Sequence, residues 1–155
     1  PIRDLVTILE ALSDYAGQTK DLGLLTEYVR QSLNRIIYSL YQDEEGKVMA
    51  ITLAPEVEKT IAGMLQSAMS TGAQAVLPPR FVEGVTAAVK ELVNRMSGEG
   101  LQPLMICSPS IRQYFKRLIE PVFPNLVVIS YAELPQTVEV KSYGTVQIEM
   151  AGVTT

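Results

Sequence analysis

Two short apolar runs in the last third of the chain restrict the fold more than any other feature. Leu104–Ile106 and Leu126–Ile129 contain only apolar residues, as strands buried on both faces do. Between them, Ser108 is a typical helix cap and Pro109 suits a first helical turn, which predicts a helix running to about Ile119. Strand, helix and strand in this order favour two parallel strands joined by a crossover helix.

The residues that follow show a different pattern, in which apolar and polar or small side chains alternate. This alternation predicts one or two half-exposed strands, interrupted near Gly144, and we expect them to form antiparallel edges of the sheet. The alternating apolar residues are Val138, Val140, Val146, Ile148 and Met150.

The first two thirds of the chain are predicted to be mainly helical, since apolar residues recur there at helical spacing. Pro1 suits the first turn of the opening helix and Gly17 suits its end. The expected fold class is therefore α/β, mixed as in α+β proteins: a mainly helical part followed by a small α/β part. The helices are expected over residues 2–16, 21–40, 55–69 and 80–96, with a strand over 48–53.

Glycine and proline mark the breaks in this pattern. Gly72 and the pair Pro78-Pro79 predict a loop over residues 71–79. Ser97-Gly98-Glu99-Gly100 is the expected boundary between the helical and the α/β part, since the pattern changes after it. Gly98-Glu99-Gly100 is too short for a phosphate-binding loop and is interpreted as a turn. Residues 151–155 are expected to form a loose tail.

Composition excludes several functional classes. With 47% hydrophobic residues among 155 the chain can build a core, and its net charge of −4 disfavours nucleic acid as a partner. It contains one cysteine and no histidine, which excludes an intrachain disulfide, a histidine-based triad and a histidine-containing zinc site. No apolar stretch approaches the ~18 residues of a membrane span. Because the chain begins at Pro1, we expect a fragment of a longer protein.

Cys107 is the one candidate nucleophile. It lies between a predicted strand and a predicted helix, a position that can activate a thiol. Four residues separate it from Arg112, one fewer than a cysteine phosphatase loop requires, and no second cysteine follows. Two interpretations remain: a structural cysteine, which the spacing favours, or a small thiol or phosphoryl-transfer enzyme using Cys107.

Charged residues offer further candidates, each with a structural alternative. Asp43-Glu44-Glu45 lacks the alternating ligands of a calcium loop and is interpreted as a solvated turn. Glu27 and Arg30, three apart on the second helix, are expected to pair with each other or to face another subunit. Three basic residues of the helix after Cys107 are expected either to meet an acidic partner or to form a solvated helix face. They are Arg112, Lys116 and Arg117.

Several segments, taken in series, resemble one known family. The similarity extends from about Ile2 to Met150, with residues 43–80 matching least. On these motifs the chain resembles the C-terminal cytoplasmic region of the FlhA/InvA/LcrD family of type III secretion export-gate proteins. The motifs are Ile2-Arg-Asp-Leu-Val-Thr-Ile-Leu-Glu-Ala-Leu12, Leu25-Thr-Glu-Tyr-Val-Arg-Gln31, Ile106-Cys-Ser-Pro-Ser-Ile-Arg112, Phe123-Pro-Asn-Leu-Val-Val-Ile-Ser-Tyr-Ala-Glu-Leu134 and Val138-Glu-Val-Lys-Ser-Tyr-Gly144.

The resemblance implies a division into subdomains. Residues 1–18 would be a helix belonging to a missing upstream subdomain, 19–98 a helical subdomain and 99–150 a small α/β subdomain. Without its upstream partner, the apolar stripe of the first helix would be exposed.

The resemblance also implies a function, without a cofactor, a metal or catalysis. The chain would belong to the cytoplasmic domain of a bacterial inner-membrane protein, attached to the membrane only through a missing N-terminal part. It would be a platform that binds flagellar export chaperones with late substrates, contacts other export-apparatus proteins and self-associates into a ring. Thr7 matches a position that lines the chaperone-docking surface in relatives. The alternative is the equivalent platform of a virulence type III secretion system.

Overall fold

The computed structural model describes residues 2–149, and within that range it confirms a mixed α/β architecture. Predictions for Pro1, Met150 and the tail 151–155 lie outside the described residues. The elements, in chain order, are α1 (Ile2–Ala16), α2 (Leu22–Ser32), α3 (Asn34–Tyr41), β1 (Val48–Leu53), α4 (Pro55–Thr71), α5 (Pro79–Gly98), β2 (Leu104–Cys107), α6 (Arg112–Ile119), β3 (Val127–Ser130) and β4 (Val140–Val146).

The strands form one sheet in the order β3-β2-β1-β4. The predicted strand–helix–strand unit is confirmed, because β2 and β3 are neighbours and α6 connects them. β1 lies beside β2 and runs parallel to it, with Ile51 opposite Met105 and Thr52 opposite Ile106. The centre of the sheet therefore includes a strand from the mainly helical part of the chain.

The prediction of antiparallel edge strands is wrong. The Val48 N–H donates to the Glu139 carbonyl at 3.0 Å, and the Ala54 N–H donates to the Val146 carbonyl at 2.9 Å. Both strands advance in the same direction between these two bonds, so β4 is parallel to β1. The long connection over residues 131–139 permits this direction, whereas a tight hairpin would have forced an antiparallel pair.

β4 also continues through Gly144, where an interruption was predicted. The glycine is explained by close packing and not by a break in the strand. A Cβ atom at Gly144 would lie 2.5 Å from Cδ2 of Leu92 on α5, so the helix covers the backbone closely at this point. Glycine in a strand interior often marks such a close approach.

The helix predicted over residues 21–40 is two helices, separated at Leu33. The Leu33 N–H is shared between the carbonyls of Val29 and Arg30, at 3.2 and 3.1 Å, which ends α2. The Ser32 hydroxyl donates to the Tyr28 carbonyl at 3.0 Å, a bond that commonly bends helices. The other predicted helices form, and α6 begins at Arg112, after a turn at the predicted cap.

The chain forms two compact units: Pro1–Met49 with Ser130–Lys141, and Ala50–Ile129 with Ser142–Thr155. The subdomain boundaries expected near residues 18 and 98 come from the resemblance to larger proteins, and they stay a prediction. The two units are called the first unit and the second unit below.

The second unit contains a continuous apolar core. Side chains from the sheet and from α4, α5 and α6 meet in it, which explains why those helices carry apolar residues at helical spacing. Its fully buried members include Ile51, Ile61, Val89, Met105 and Phe115.

The first unit contains α1, α2 and α3. The rings of Tyr15 and Tyr28 stack at a centroid distance of 4.1 Å and join α1 to α2. Ala11 on α1 is buried, while Leu5 and Leu9 are more than half exposed. The apolar stripe of α1 is thus only partly covered within the described residues.

No helix among residues 2–149 combines the length and the apolar composition that crossing a bilayer requires.

Gly144→Ala is expected to lower the free energy of unfolding by about 1–2 kcal/mol, since the new methyl group must displace Leu92 in a packed core. Urea unfolding followed by circular dichroism would measure the loss. The control is Gly63→Ala in α4, where a Cβ atom meets nothing within 4 Å. That change should be neutral or should stabilise the helix by up to ~1 kcal/mol.

A double variant tests the cause of this loss. If the clash is with Leu92, the cost of Gly144→Ala should shrink in a Leu92→Ala background, because the methyl group then enters vacated space. An unchanged cost in that background, or an unaffected Gly144→Ala protein, would contradict the close packing of β4 against α5.

Candidate functional site

Cys107 is closed to reagents in the structure. It ends β2, none of its surface is exposed, and its Sγ lies 4.0 Å from the Ile129 carbonyl oxygen. A nucleophilic thiol needs access and an electropositive neighbourhood. The geometry therefore supports the structural interpretation of Cys107 over the enzyme alternative.

The loop after Cys107 is occupied by the protein's own carboxylate. The Ser108 N–H donates to Oε1 of Glu58, in the first turn of α4, at 3.1 Å. An external anion would have to displace this carboxylate. Sequence reasoning missed Glu58, because nothing in the spacing of two residues 50 positions apart signals their contact.

The three cations of the α6 region have different environments. Arg112 is buried and donates to the Val128 carbonyl at 3.3 Å. Lys116 donates to the carbonyls of Pro124 and Leu126 at 3.2 and 2.9 Å, which holds the loop before β3. Arg117 is exposed and forms no hydrogen bond or ion pair with any described residue. Of the predicted partner contacts on this helix, Arg117 is the one left available.

Arg30 is paired within the first unit. Its guanidinium lies 2.6 Å from Oε1 of Glu133, a fully buried carboxylate. Oε2 of Glu133 accepts a hydrogen bond from the Ser130 N–H, also at 2.6 Å. Glu27, one turn before Arg30 on α2, is buried as well. Arg30 and Glu133 therefore connect α2 to the turn after β3.

Glu133 was missed, although the sequence contained a signal for it. Ser130-Tyr131-Ala132-Glu133 fits the capping-box pattern, in which the fourth side chain accepts from the first backbone N–H. The residues Tyr131–Glu133 form a single 3-10 turn. The pattern predicts this local bond, but it contains no information on Arg30.

Thr7 is partly buried on α1, and its hydroxyl donates to the Arg3 carbonyl at 3.1 Å. Helical spacing places it on the same side as Arg3 and Glu10, and away from the exposed Leu5 and Leu9. A side chain of a binding partner at Thr7 would therefore contact a polar helix face.

The acidic turn is a structural feature. Oδ1 of Asp43 accepts from the backbone N–H groups of Lys47 and Glu45, at 2.8 and 2.9 Å. The bond from Lys47 is the largest cause that lowers the pKa of Asp43 below its ordinary value. Desolvation opposes it, and the bond from Glu45 and the charges of Lys141 and Lys47 add to the lowering. Within residues 2–149, no cluster of three or more acidic or cysteine side chains could hold a metal ion.

Comparison with known proteins identifies the family. Residues 1–139 match the FHIPEP family. The chain is 40% identical over 147 residues to the flagellar biosynthesis protein FlhA of Bacillus subtilis, covering 95% of this chain and 22% of that protein. It is 34% identical over 146 residues to the low calcium response locus protein D of Yersinia pestis, covering 94% and 20%. The chain thus spans about a fifth of the length of these relatives.

Solved structures share the fold. The Chlamydia pneumoniae CdsV protein matches with a TM-score of 0.80 and 33% identity, over 95% of this chain and 42% of that one. A complex of CdsV and CdsO gives 0.72 at 33% identity, over 94% and 43%. The nonameric EscV cytosolic domain from a type III secretion system gives 0.73 at 30% identity, over 95% and 43%.

Arg30→Met is expected to destabilise the protein by about 1–3 kcal/mol, because it removes a charged partner from the buried Glu133. Chemical denaturation would measure this effect. Replacing both charges, in Arg30→Met with Glu133→Gln, should cost less than Arg30→Met alone, since the buried negative charge is then removed as well. If the double change costs as much as the sum of the single changes, the pair does not interact.

Cys107 should react with a chromogenic disulfide reagent only when the second unit opens. We expect labelling in native buffer to be slower by orders of magnitude than in denaturant, and to accelerate as urea is added. Complete labelling of the native protein within seconds would show an accessible thiol and would reopen the enzyme interpretation.

Proposed function

The chain belongs to the FHIPEP family, and from this membership we propose that it is part of the cytoplasmic platform of a flagellar protein export gate. The observation that carries the proposal is the 40% identity to a flagellar FlhA protein over 95% of this chain. Because the chain spans about a fifth of that relative, the proposal concerns its contribution to a longer protein.

We propose that the platform self-associates into a ring. A nonameric assembly of the related EscV cytosolic domain supports this. The first unit also exposes many large apolar side chains, as surfaces that meet other proteins do. These exposed residues are Leu5, Val6, Leu9, Leu22, Leu24, Ile36 and Leu40.

We also propose contacts with two kinds of partner. The complex of CdsV with CdsO supports binding to another protein of the export apparatus. Docking of export chaperones with their substrates rests on the motif resemblance, in which Thr7 contributes to the docking surface. The position of Thr7 beside Arg3 and Glu10 suits a polar contact at the edge of such a surface.

The proposed role needs neither catalysis nor a cofactor. The buried Cys107 and the internal carboxylate at Ser108 support a non-catalytic platform. The net charge of −4 supports protein partners over nucleic acid. We place this segment on the cytoplasmic side of the bacterial inner membrane, attached through a part of the protein outside this chain.

The alternative is the same platform in a virulence secretion system. The 34% identity to the Yersinia protein supports it, and the fold would be the same. The higher identity to the Bacillus flagellar protein favours flagellar export.

Removal of this segment from the chromosomal gene of the source bacterium should abolish export of hook and filament proteins into the medium. The intact gene should restore it. Normal flagellar export in the deletion strain, together with loss of a virulence effector from the medium, would favour the alternative. Normal secretion of both would contradict the proposal.

Two substitutions in the full-length gene test the role of Thr7 in docking. Thr7→Asp should reduce filament protein in the medium more than hook protein, because it places a charge in the docking surface. Thr26→Asp is the matched control, since Thr26 makes the same hydroxyl bond to a carbonyl one turn back, on α2. Equal export by both variants would remove Thr7 from the docking surface.

A further inference from the structure

A groove of about 440 Å³ lies in the second unit, where α6 approaches the end of α4 and the loop that follows it. Six residues line it: Leu65, Gln74, Ala75, Tyr114, Arg117 and Leu118. We call it the α4–α6 groove. All six belong to the second unit, so its geometry does not depend on the first.

The apolar side chains of the groove pack against the core of the second unit. Leu65, Tyr114 and Leu118 are partly buried and pack against the core of the second unit, so they present fixed surfaces. Near the groove, Met69 is 86% exposed and Val76 is 67% exposed. Met69 follows Leu65 by one turn of α4, and Val76 follows the lining residue Ala75, so apolar surface extends beyond the groove itself.

The polar groups of the groove are unpaired within the part of the chain that the structure describes. The side chains of Gln74, Tyr114 and Arg117 make no hydrogen bond or ion pair with any residue in the described range 2–149. The Tyr114 hydroxyl, like that of any tyrosine, is protonated at neutral pH and can donate a hydrogen bond, and burial raises its pKa further. Apolar walls with a few convergent polar groups are typical of binding sites.

The contrast with the neighbouring cations gives Arg117 its significance. Arg112 and Lys116, on the same helix, both donate to backbone carbonyls and hold the fold. Arg117 has no such role and carries its charge at the groove. A guanidinium offers donors in a planar fork that matches a carboxylate.

We propose that the α4–α6 groove binds a peptide segment of a partner protein in which an acidic side chain stands beside an apolar one. The apolar side chain lies between Leu65 and Leu118, and the carboxylate pairs with Arg117. The Tyr114 hydroxyl and the Gln74 amide bond to the peptide backbone. The charge of Arg117 selects an acidic segment. Because the groove is open, it can accept a segment from the middle of a partner chain, which has no free terminus. This proposal stands whether or not the chain assembles into a ring.

Binding can be tested with the blocked peptide acetyl-Gly-Leu-Glu-Leu-Gly-amide as the probe. Two-dimensional ¹H–¹⁵N NMR of the protein should show saturable shifts at the amides of Leu65, Ala75 and Leu118. The peptide with Gln in place of Glu should bind about fivefold more weakly or worse, since the charged contact is lost. Raising the salt concentration should weaken the Glu peptide more than the Gln peptide.

Matched variants test whether Arg117 provides the charged contact to the peptide. Arg117→Gln should reduce affinity for the Glu peptide by about fivefold or more and should abolish its preference over the Gln peptide. Lys90→Gln, which removes an exposed charge on α5, should leave both affinities unchanged. Arg117→Glu should prefer the peptide that carries Lys in place of Glu. An unchanged spectrum outside the groove would show that each variant is folded.

Several results would overturn the proposal. The first is equal binding of the Glu and Gln peptides, and the second is equal affinity of the wild type and Arg117→Gln. If the Gln peptide with a free C-terminus bound more strongly than the blocked Glu peptide, the groove would be assigned to a terminal carboxylate. Concentration-dependent shifts at the groove without any peptide would assign it to a second copy of the chain. Absence of saturable shifts with all peptides would show that the groove does not bind such segments.

Discussion

The parallel pairing of β1 with β2 is the constraint on which the second unit depends. Parallel neighbours end at the same edge of a sheet, so the first turn of α4, directly after β1, meets the loop directly after β2. This is why Glu58 reaches the Ser108 N–H. The carboxyl edge of such a sheet is where α/β proteins commonly bind ligands. Here a carboxylate of the protein itself bonds to the loop, and the remaining candidates for function lie on outer surfaces.

Local patterns predicted the elements well and their pairing less well. The apolar runs around residues 104–106 and 126–129 predicted adjacent strands with a crossover helix, because composition and chain order are enough for that inference. The place of β1 could not be predicted in the same way, since its partner Met105 lies more than 50 residues away. The direction of β4 depends on where the connection before it returns to the sheet, which no local periodicity records.

The candidate site shows the same division. Helical spacing predicted that Arg112, Lys116 and Arg117 lie close together, but it could not predict that carbonyls of the segment before and within β3 accept from two of them. For Glu133, the capping-box pattern contained the bond to Ser130 and not the bond to Arg30. Long-range partners of charged side chains are set by tertiary packing. Charge patterns therefore identified candidates, and the structure separated those that stabilise the fold from those left exposed.

The difference between charged side chains that stabilise the fold and those left exposed bears on how such a protein can recognise a specific partner. In the second unit, the bonds from Lys116 to the carbonyls of Pro124 and Leu126 fix the loop before β3 by satisfying polar groups that would otherwise be costly to bury. In the first unit, Arg30 does the same for Glu133. A fixed backbone lets a few exposed groups keep a defined arrangement, which lowers the entropy cost of binding. Arg117 beside Leu65 and Leu118 is such an arrangement. Specificity then comes from the spacing between one charge and one apolar surface, which a rigid α/β unit can hold without any reactive group.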